Sequence, residues 1–205
     1  MDADPVELRV LGCLIEKQRT TPDQYPLSVN ALRAACNQST NRDPVVEYDE
    51  ATIRGGLEHL SRRGWVRLAS GPGSRAVKYR HLFDQALELS DEDMALLAVL
   101  MLRGAQTPGE LKQRTERMHA FASVPEVIEA LESLIRRELA ERLERRPGQK
   151  EERYRQLLGG DGGAEPVSAA SVAPADDRVE SLEARVDRLE DELASLRSAL
   201  DALRS

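Results

Sequence analysis

The sequence predicts a mainly α fold with small β hairpins (α+β), because apolar residues at helical spacing twice lead into a strand–turn–strand pattern. These two stretches lie at residues 49–81 and 123–157, and a strict heptad pattern follows near the C-terminal end. The 205 residues include 3% aromatic and 32% charged residues, a composition that favours small helical domains over one large core.

The stretch from Asp49 to His81 shows the pattern most clearly. Asp49 caps a helix that Gly64 ends, and apolar residues at positions 53, 57 and 60 share one face. Strands are predicted at residues 65–68 and 76–79, around a Gly-Pro-Gly turn at residues 71–73. A helix that runs directly into a hairpin is typical of the second half of a winged-helix domain. The helix is then the predicted recognition helix, and the turn is the tip of the wing.

Two further helices precede this stretch. Asp4-Pro5 begins a helix that ends near Arg19, and Ser28 caps a second helix that runs to about Asn37. Proline-containing loops follow these helices, at residues 20–26 and 37–47. The three helices and the hairpin form a predicted winged-helix domain over residues 1–82.

The same order of elements repeats in the second half of the chain. Three helices begin at Ser90, Thr107-Pro108 and Ser123, and strands at residues 139–144 and 151–157 flank a turn at residues 146–149. Three segments align with the first half: residues 57–63 with 131–137, Thr21-Pro22 with Thr107-Pro108, and Lys78-Tyr79-Arg80 with Arg153-Tyr154-Arg155. We therefore predict a second winged-helix domain, in tandem with the first, over residues 83–158.

A flexible linker at residues 159–175 and a coiled-coil helix at residues 176–205 complete the predicted architecture. Apolar side chains alternate at spacings of three and four, at Val179, Leu182, Val186, Leu189, Leu193, Leu196, Leu200 and Leu203. An unpaired helix would leave this stripe in water, so we predict that these residues form a parallel, two-stranded homodimer. Its g–e pairs all attract: Arg178–Glu183, Arg185–Glu190 and Glu192–Arg197.

The net charge of −7 is unevenly distributed. Residues 1–82 hold 12 Lys and Arg against 10 Asp and Glu, residues 83–158 hold 12 against 15, and residues 159–205 hold 5 against 11. The first domain is mildly basic, which permits contact with nucleic acid. The chain shows no signal-peptide pattern and no apolar run of the ~18 residues that a membrane span needs. Cys13 and Cys36 suit buried positions in a reducing compartment, and we expect a cytoplasmic protein without a membrane partner.

Six segments have unusual sequences: LGCLIEK at residues 11–17, TTPDQYP at 20–26, PLSVNALRAACNQSTNRDPV at 26–45, KYRH at 78–81, RGAQTPGEL at 103–111 and RPGQKEERY at 146–154. In this order they resemble the YceH family of bacterial proteins. The resemblance covers residues 1–158 and implies tandem winged helices; an acidic heptad tail is also usual in that family, which has no established activity. Gly55-Gly56 departs from it, because alanine is more common there, and each glycine costs a helix ~1 kcal/mol relative to alanine.

Residues on the face of the predicted recognition helix opposite its core are the candidate DNA contacts. That face carries Ala51, Gly55, Glu58 and Arg62, with Thr52, Arg54 and Arg63 at its flanks. Arginines there can bond a guanine edge or a phosphate, whereas Glu58 needs a cytosine amine. The wing offers Arg67, Arg75 and Lys78 for phosphates. The alternative is an ordinary solvated helix face.

The loop at residues 37–43 leaves two interpretations open. Arg42 can reach a phosphate, or it can pair with a nearby acid while Asn37 and Asn41 cap backbone groups. The corresponding face of the second domain carries Glu129 and Glu132, with Glu126 nearby, and suits a protein partner better than DNA.

Two hypotheses of function follow. The first is a dimeric, DNA-associated regulator that binds double-stranded DNA through its first winged helix and wing. The second is a scaffold whose winged helices dock other proteins. We expect no enzyme, metal or cofactor, because the three histidines match no metal spacing and no phosphate loop or nucleophile motif occurs.

Overall fold

The computed structural model of the chain describes residues 2–69, 77–145 and 151–159. Within these residues seven α-helices occur: α1 Pro5–Thr20, α2 Val29–Cys36, α3 Glu50–Arg62, α4 Phe83–Leu87, α5 Asp91–Arg103, α6 Pro108–Thr115 and α7 Val124–Arg136. The strands are β1 Leu27–Ser28, β2 Val66–Leu68, β3 Lys78–His81, β4 Ala140–Leu143 and β5 Arg153–Gln156. Helices combined with small antiparallel sheets agree with the predicted class of fold.

The predicted helix starts are confirmed by their capping bonds. The side chains of Asp4, Ser28, Asp49, Ser90, Thr107 and Ser123 each accept a bond from a backbone N–H in the first turn. Asp4 also forms a capping box with Glu7, as Ser90 does with Asp93 and Thr107 with Glu110. A cap of this kind contributes about 1 kcal/mol, so these residues determine where the helices begin.

The strands form two antiparallel sheets. In the first, β3 lies between β1 and β2, with Tyr79 opposite both Leu27 and Leu68; in the second, β4 pairs with β5. The returning strand begins at Lys78, two residues later than its predicted start at Ala76. β1 and α4 were not predicted, because segments of two and five residues show no periodicity.

The internal repeat is visible in the hydrogen bonding, but one part of its predicted alignment is wrong. Tyr79 pairs with Leu27, and its counterpart Tyr154 pairs with Gln106. Each bridging residue is followed at once by a capping residue, Ser28 or Thr107. Thr107 therefore corresponds to Ser28 and not to Thr21, which ends α1.

The helices of the two halves share one core. α1 and α5 pack against each other in opposite directions, with Gly12 beside Met101 and Leu102 at one end and Arg19 bonded to Asp91 at the other. A single cluster of buried apolar side chains includes residues of both halves. The boundary between residues 82 and 83 stays a prediction, but the first half contributes a packed face to the second.

Several predicted features lie outside the described residues. They are the tip of the wing at residues 71–73, the turn at 146–149, all but the first residue of the linker at 159–175, and the coiled coil at 176–205 with its eight dimer contacts. Among the residues that are described, Cys13 and Cys36 are buried with free thiols. None of the described helices is long and apolar enough to cross a membrane.

Candidate nucleic-acid interface

α3 presents one buried and one exposed face, as its periodicity predicts. Ile53, Leu57 and Leu60 are buried in the core. Arg54, Glu58 and Arg62 are exposed on the other side. Arg54 bonds Glu50 one turn earlier, with Nη2 2.5 Å from Oε1. Because this exposed i,i+4 pair is weak, Arg54 is readily redirected to another anion.

The two adjacent glycines of α3 have different surroundings. A Cβ atom at Gly55 would meet no atom within 4 Å, whereas one at Gly56 would lie 3.1 Å from Cγ1 of Val6. Gly56 therefore allows α3 to cross α1 closely. Of the two, only Gly55 leaves the exposed face open to the close approach of a ligand.

A cleft of about 490 Å³ separates α3 from the β2–β3 hairpin. One wall is a stripe of α3 residues at helical spacing, and the other is formed by the strands. The lining residues are Arg54, Leu57, Glu58, Ser61, Arg62, Leu68 and Tyr79. Leu68 is 61% exposed at the mouth. The cleft thus combines two arginines and one glutamate of α3 with Leu68 and Tyr79 of the strands.

Thr52 and Arg63, the flanking candidates, have partners within the fold. Thr52 is half-buried and donates its backbone N–H to the cap Asp49. The Arg63 guanidinium bonds Oε1 of Glu7 at 3.2 Å and lies 5.4 Å from the ring centre of Trp65. Arg63 therefore fastens the end of α3 to the start of α1, a structural role that weakens its candidacy as a DNA contact.

Two of the three candidate wing residues are among the described residues. Lys78 is half-buried at the start of β3 and Arg67 is exposed on β2, while Arg75 lies outside the described residues. Arg80 on β3 was not among the predicted contacts. Its strand partner is Arg67, a relationship that only the register of the hairpin reveals.

Arg42 is not available as a DNA contact, which corrects that prediction. Its side chain is buried, and Nη2 lies 2.6 Å from Oε2 of Glu16 on α1. Nε donates to the backbone oxygen of Ala35, and Nη2 also donates to Oε1 of Gln38. The structural alternative holds, because these partners occupy the guanidinium donors that a phosphate would need.

The rest of this loop is held by its own polar side chains. Asn37 exchanges two bonds with the backbone of Tyr48, of 2.8 and 2.9 Å, and Asn41 accepts a bond from Arg103. Arg9, which was not singled out from the sequence, donates from inside the core to the carbonyls of Cys36 and Pro44. The loop therefore joins α1, α2 and the end of α5.

The second half differs from the first in its charged surface. Glu129 and Glu132 are exposed on α7 as predicted, but Glu126 accepts a bond from the backbone N–H of Ala122 at 2.6 Å. Glu126, which was predicted to lie near this face, thus caps its helix. On the hairpin, Arg155 bonds Glu141 and Arg142 lies 3.3 Å from Glu152.

Two groups of acidic residues and histidines have their ligand atoms close together. They are Asp4, Glu7 and His59, and Glu92, His119 and Glu126. In both groups a glutamate already accepts a backbone N–H at a helix start, Glu7 from Asp4 and Glu126 from Ala122. The positive ends of these helices favour the carboxylates and oppose a bound cation, so we assign no metal to either group.

Buried titratable groups lie away from the exposed face of α3. His81 is 1% exposed, and burial lowers its pKa to about 4; nearby Arg80 and Arg19 act in the same direction, against the opposing effect of Asp84. Its Nε2 lies 2.6 Å from Oε1 of Gln18, which suits a neutral ring that donates from Nε2. His81 serves to anchor β3 to α1.

Comparison with known proteins places the chain in a family. The family described as "Protein of unknown function, DUF480" matches residues 3–149. A UPF0502 protein of Enterobacter sp. (strain 638) is 47% identical over 204 residues, covering 96% of this chain and 94% of its own length. The UPF0502 protein YceH of Salmonella newport (strain SL254) is 46% identical over 204 residues, with the same coverage. The chain therefore belongs to the DUF480 family, which agrees with its resemblance to YceH.

Proposed function

We propose that this protein is a dimeric, DNA-associated regulator built from two winged helices in tandem and a C-terminal coiled coil. Its first winged helix binds double-stranded DNA without catalysis. α3 is the recognition helix, and Arg54 and Arg62 on its exposed face are the principal contacts. Arg67 and Lys78 on the hairpin contact the DNA backbone. Residues 83–158 pack against the first half and offer an acidic face to a protein.

The observation that carries this proposal is the difference between two matching surfaces of one chain. On the exposed faces of the two helices, Glu58 and Arg62 of α3 match Glu132 and Arg136 of α7, but Arg54 and Gly55 are replaced by Ile128 and Glu129, which leaves α3 the less acidic face. The hairpins differ likewise, since Arg155 of β5 bonds Glu141 of β4 and Arg142 of β4 lies 3.3 Å from Glu152, whereas Arg67 and Arg80 of the first hairpin are strand partners. A groove lined by phosphates favours the first surface and repels the second.

Charge reversal at matching positions tests the proposal in the full chain. Arg62 corresponds to Arg136 in the repeat, and both are exposed near the end of their helices. The full chain is required because α1 packs on α5, so residues 1–82 alone would expose part of the core. We expect Arg62→Glu to weaken binding to mixed-sequence duplex DNA about tenfold, by loss of a charged hydrogen bond and by repulsion. The control Arg136→Glu should leave binding within about twofold, which is below the effect of one such bond.

Fluorescence anisotropy with labelled duplexes at several salt concentrations is the measurement. Equal effects of the two reversals would contradict the assignment of the first half as the DNA-binding part. Absence of binding by the unaltered chain at low salt would remove the proposal altogether. If the unaltered chain does bind DNA, sequencing of the DNA that co-purifies with it would identify any preferred site.

An apolar patch supports a second candidate function, the docking of a partner protein on the first half. Leu68 is 61% exposed and Val77 is 50% exposed, and Leu68 borders the cleft beside Tyr79. Exposed aliphatic side chains beside a cleft are typical of protein contacts. Leu68→Ser should abolish such a contact and leave DNA binding unchanged, and identification of co-purified proteins with and without this substitution separates the two functions.

A further inference from the structure

Two arginines lie directly opposite each other in the first hairpin. Arg67 on β2 and Arg80 on β3 are antiparallel partners. Backbone bonds from Leu82 to Trp65 and from Ala69 to Lys78 flank this pair at two-residue intervals, so Arg67 and Arg80 occupy a hydrogen-bonded position. The Cα atoms of such a pair are roughly 5.5 Å apart, and the side chains leave the sheet on the same face.

That face is turned away from the recognition helix. Leu68 and Tyr79, the neighbouring pair, line the cleft against α3, and successive residues of a strand point to opposite faces. Arg67 is exposed and Arg80 is half-buried, and Nε of Arg80 is buried without a hydrogen-bond partner. Across the described part of the chain, no carboxylate lies within ion-pair distance of either guanidinium.

The second hairpin provides an internal comparison. Glu141 and Arg155 occupy the corresponding cross-strand position and form an ion pair. The fold therefore accommodates an attractive pair at this position, yet the first half carries two like charges. Directly opposed like charges destabilise a sheet, and a buried donor without a partner adds a further cost.

We propose that the Arg67–Arg80 pair is a binding site for a phosphate group. A phosphate between two guanidinium groups would accept charged hydrogen bonds from both and cancel their repulsion. It would also supply an acceptor beside the buried Nε of Arg80. The phosphate is either a phosphodiester of the DNA backbone or a free phosphate ion. The first source rests on the proposed function, whereas the site itself does not.

Exchange of charges between the two hairpins tests the site in the full chain. Arg67→Glu copies the Glu141–Arg155 pair into the first hairpin, and Glu141→Arg copies the arginine pair into the second. Arg67→Lys keeps the charge as a control. Two measurements are made on each variant: the rise in melting temperature on replacing chloride by inorganic phosphate at equal ionic strength, and the affinity for duplex DNA.

We expect phosphate to raise the melting temperature of the unaltered chain and of Arg67→Lys, and to have no specific effect on Arg67→Glu. Glu141→Arg should show a larger rise than the unaltered chain. Arg67→Glu should also melt higher than the unaltered chain in chloride, because it replaces repulsion with an ion pair. Retention of the full phosphate effect in Arg67→Glu, or no phosphate effect in the unaltered chain, would overturn the site.

The affinity of the variants for duplex DNA identifies the source of the phosphate. If the phosphodiester backbone occupies the site, Arg67→Glu should weaken duplex binding about tenfold and lower the salt dependence by about one phosphate contact. If Arg67→Glu loses the phosphate effect but binds DNA as the unaltered chain does, the site holds free phosphate, and the proposed function rests on Arg54, Arg62 and Lys78. If the unaltered chain binds no DNA but shows the phosphate effect, the proposed function fails and the site stands.

Discussion

Arg42 and Glu16 form a two-pronged ion pair that joins the loop after α2 to the C-terminal part of α1. The bonds are 2.6 Å from Nη2 to Oε2 and 3.1 Å from Nη1 to Oε1, and the Arg42 side chain is fully buried. Burial opposes ionisation of the Glu16 carboxyl, but the hydrogen bond and charge of Arg42, with help from Lys17, lower its pKa below its ordinary value. The pair is therefore ionised near neutral pH and holds the loop in place.

Removal of Arg42 should strongly destabilise the protein. Arg42→Ala leaves the Glu16 carboxylate largely buried without its partner, and we expect the free energy of unfolding to fall by about 3 kcal/mol or more. Urea denaturation measures this. The control Arg54→Ala breaks an exposed pair and should cost at most about 0.5 kcal/mol. A small effect of Arg42→Ala would show that water enters the site and solvates Glu16.

Two glycines should respond to alanine in opposite ways. A Cβ atom at Gly12 would lie 2.9 Å from Cγ of Leu102 and 3.3 Å from Cβ of Met101, so Gly12→Ala should separate α1 from α5 and cost about 1–3 kcal/mol. Gly55 faces open space, and Gly55→Ala should stabilise α3 by up to about 1 kcal/mol. Thermal unfolding of both variants measures the contrast. Stabilisation by Gly12→Ala would mean that the two helices are less tightly packed than described.

Protonation of His81 should make stability depend on pH. Burial lowers its pKa from the ordinary 6.5 to about 4 in the folded protein, so the unfolded chain takes up the proton first as the pH falls. The stability that depends on the neutral His81 ring is fully present above pH 6.5 and is lost progressively as the pH falls to about 4. Urea denaturation across this range should give a shallower pH dependence for His81→Gln. The same substitution at His59, whose side chain is 49% exposed, serves as the control.

Two residues after α3 and two residues after α7 the backbone has a positive φ angle, but the residue there is glycine in one case and glutamate in the other. Gly64 and Glu138 occupy corresponding positions, and both have positive φ angles, of 75° and 55°. Glycine adopts this conformation without strain, so Glu138→Gly should raise the free energy of unfolding by up to about 1 kcal/mol. Gly64→Ala should lower it by a similar amount. Chemical denaturation decides, and destabilisation by Glu138→Gly would show that the Glu138 side chain makes a contact that outweighs the backbone strain.

Dimerisation should depend on the heptads at residues 176–205. We expect the full chain to be a dimer at tens of micromolar, because its eight apolar positions need a partner. A chain that ends after Pro166 keeps Leu158, whose buried side chain and bond to Ala3 belong to the fold, and should be a monomer. Light scattering distinguishes these states. A dimer that survives the truncation would assign the contact to residues 1–166.

Local chemistry explains what was predictable from the sequence. The helices from Asp4, Ser28, Asp49, Ser90, Thr107 and Ser123 start where a capping side chain meets an apolar periodicity, and both signals lie within a few residues of the chain. The repeat was visible because matching packing requires matching residues. The exposure of Arg54 and Arg62 was predictable from helical periodicity, which separates them from the buried Ile53, Leu57 and Leu60.

Tertiary packing decided the roles of the remaining charged residues. An arginine on a loop has the same local pattern whether it faces solvent or a buried carboxylate, and only the meeting of α1 with the loop after α2 brings Glu16 to Arg42. The contacts of Gly12 with Leu102 join residues 90 positions apart, so no local pattern reveals them. The opposition of Arg67 and Arg80 likewise depends on strand register. Periodicity and capping act over one or two helical turns, whereas the partner of a side chain is set by how distant segments pack.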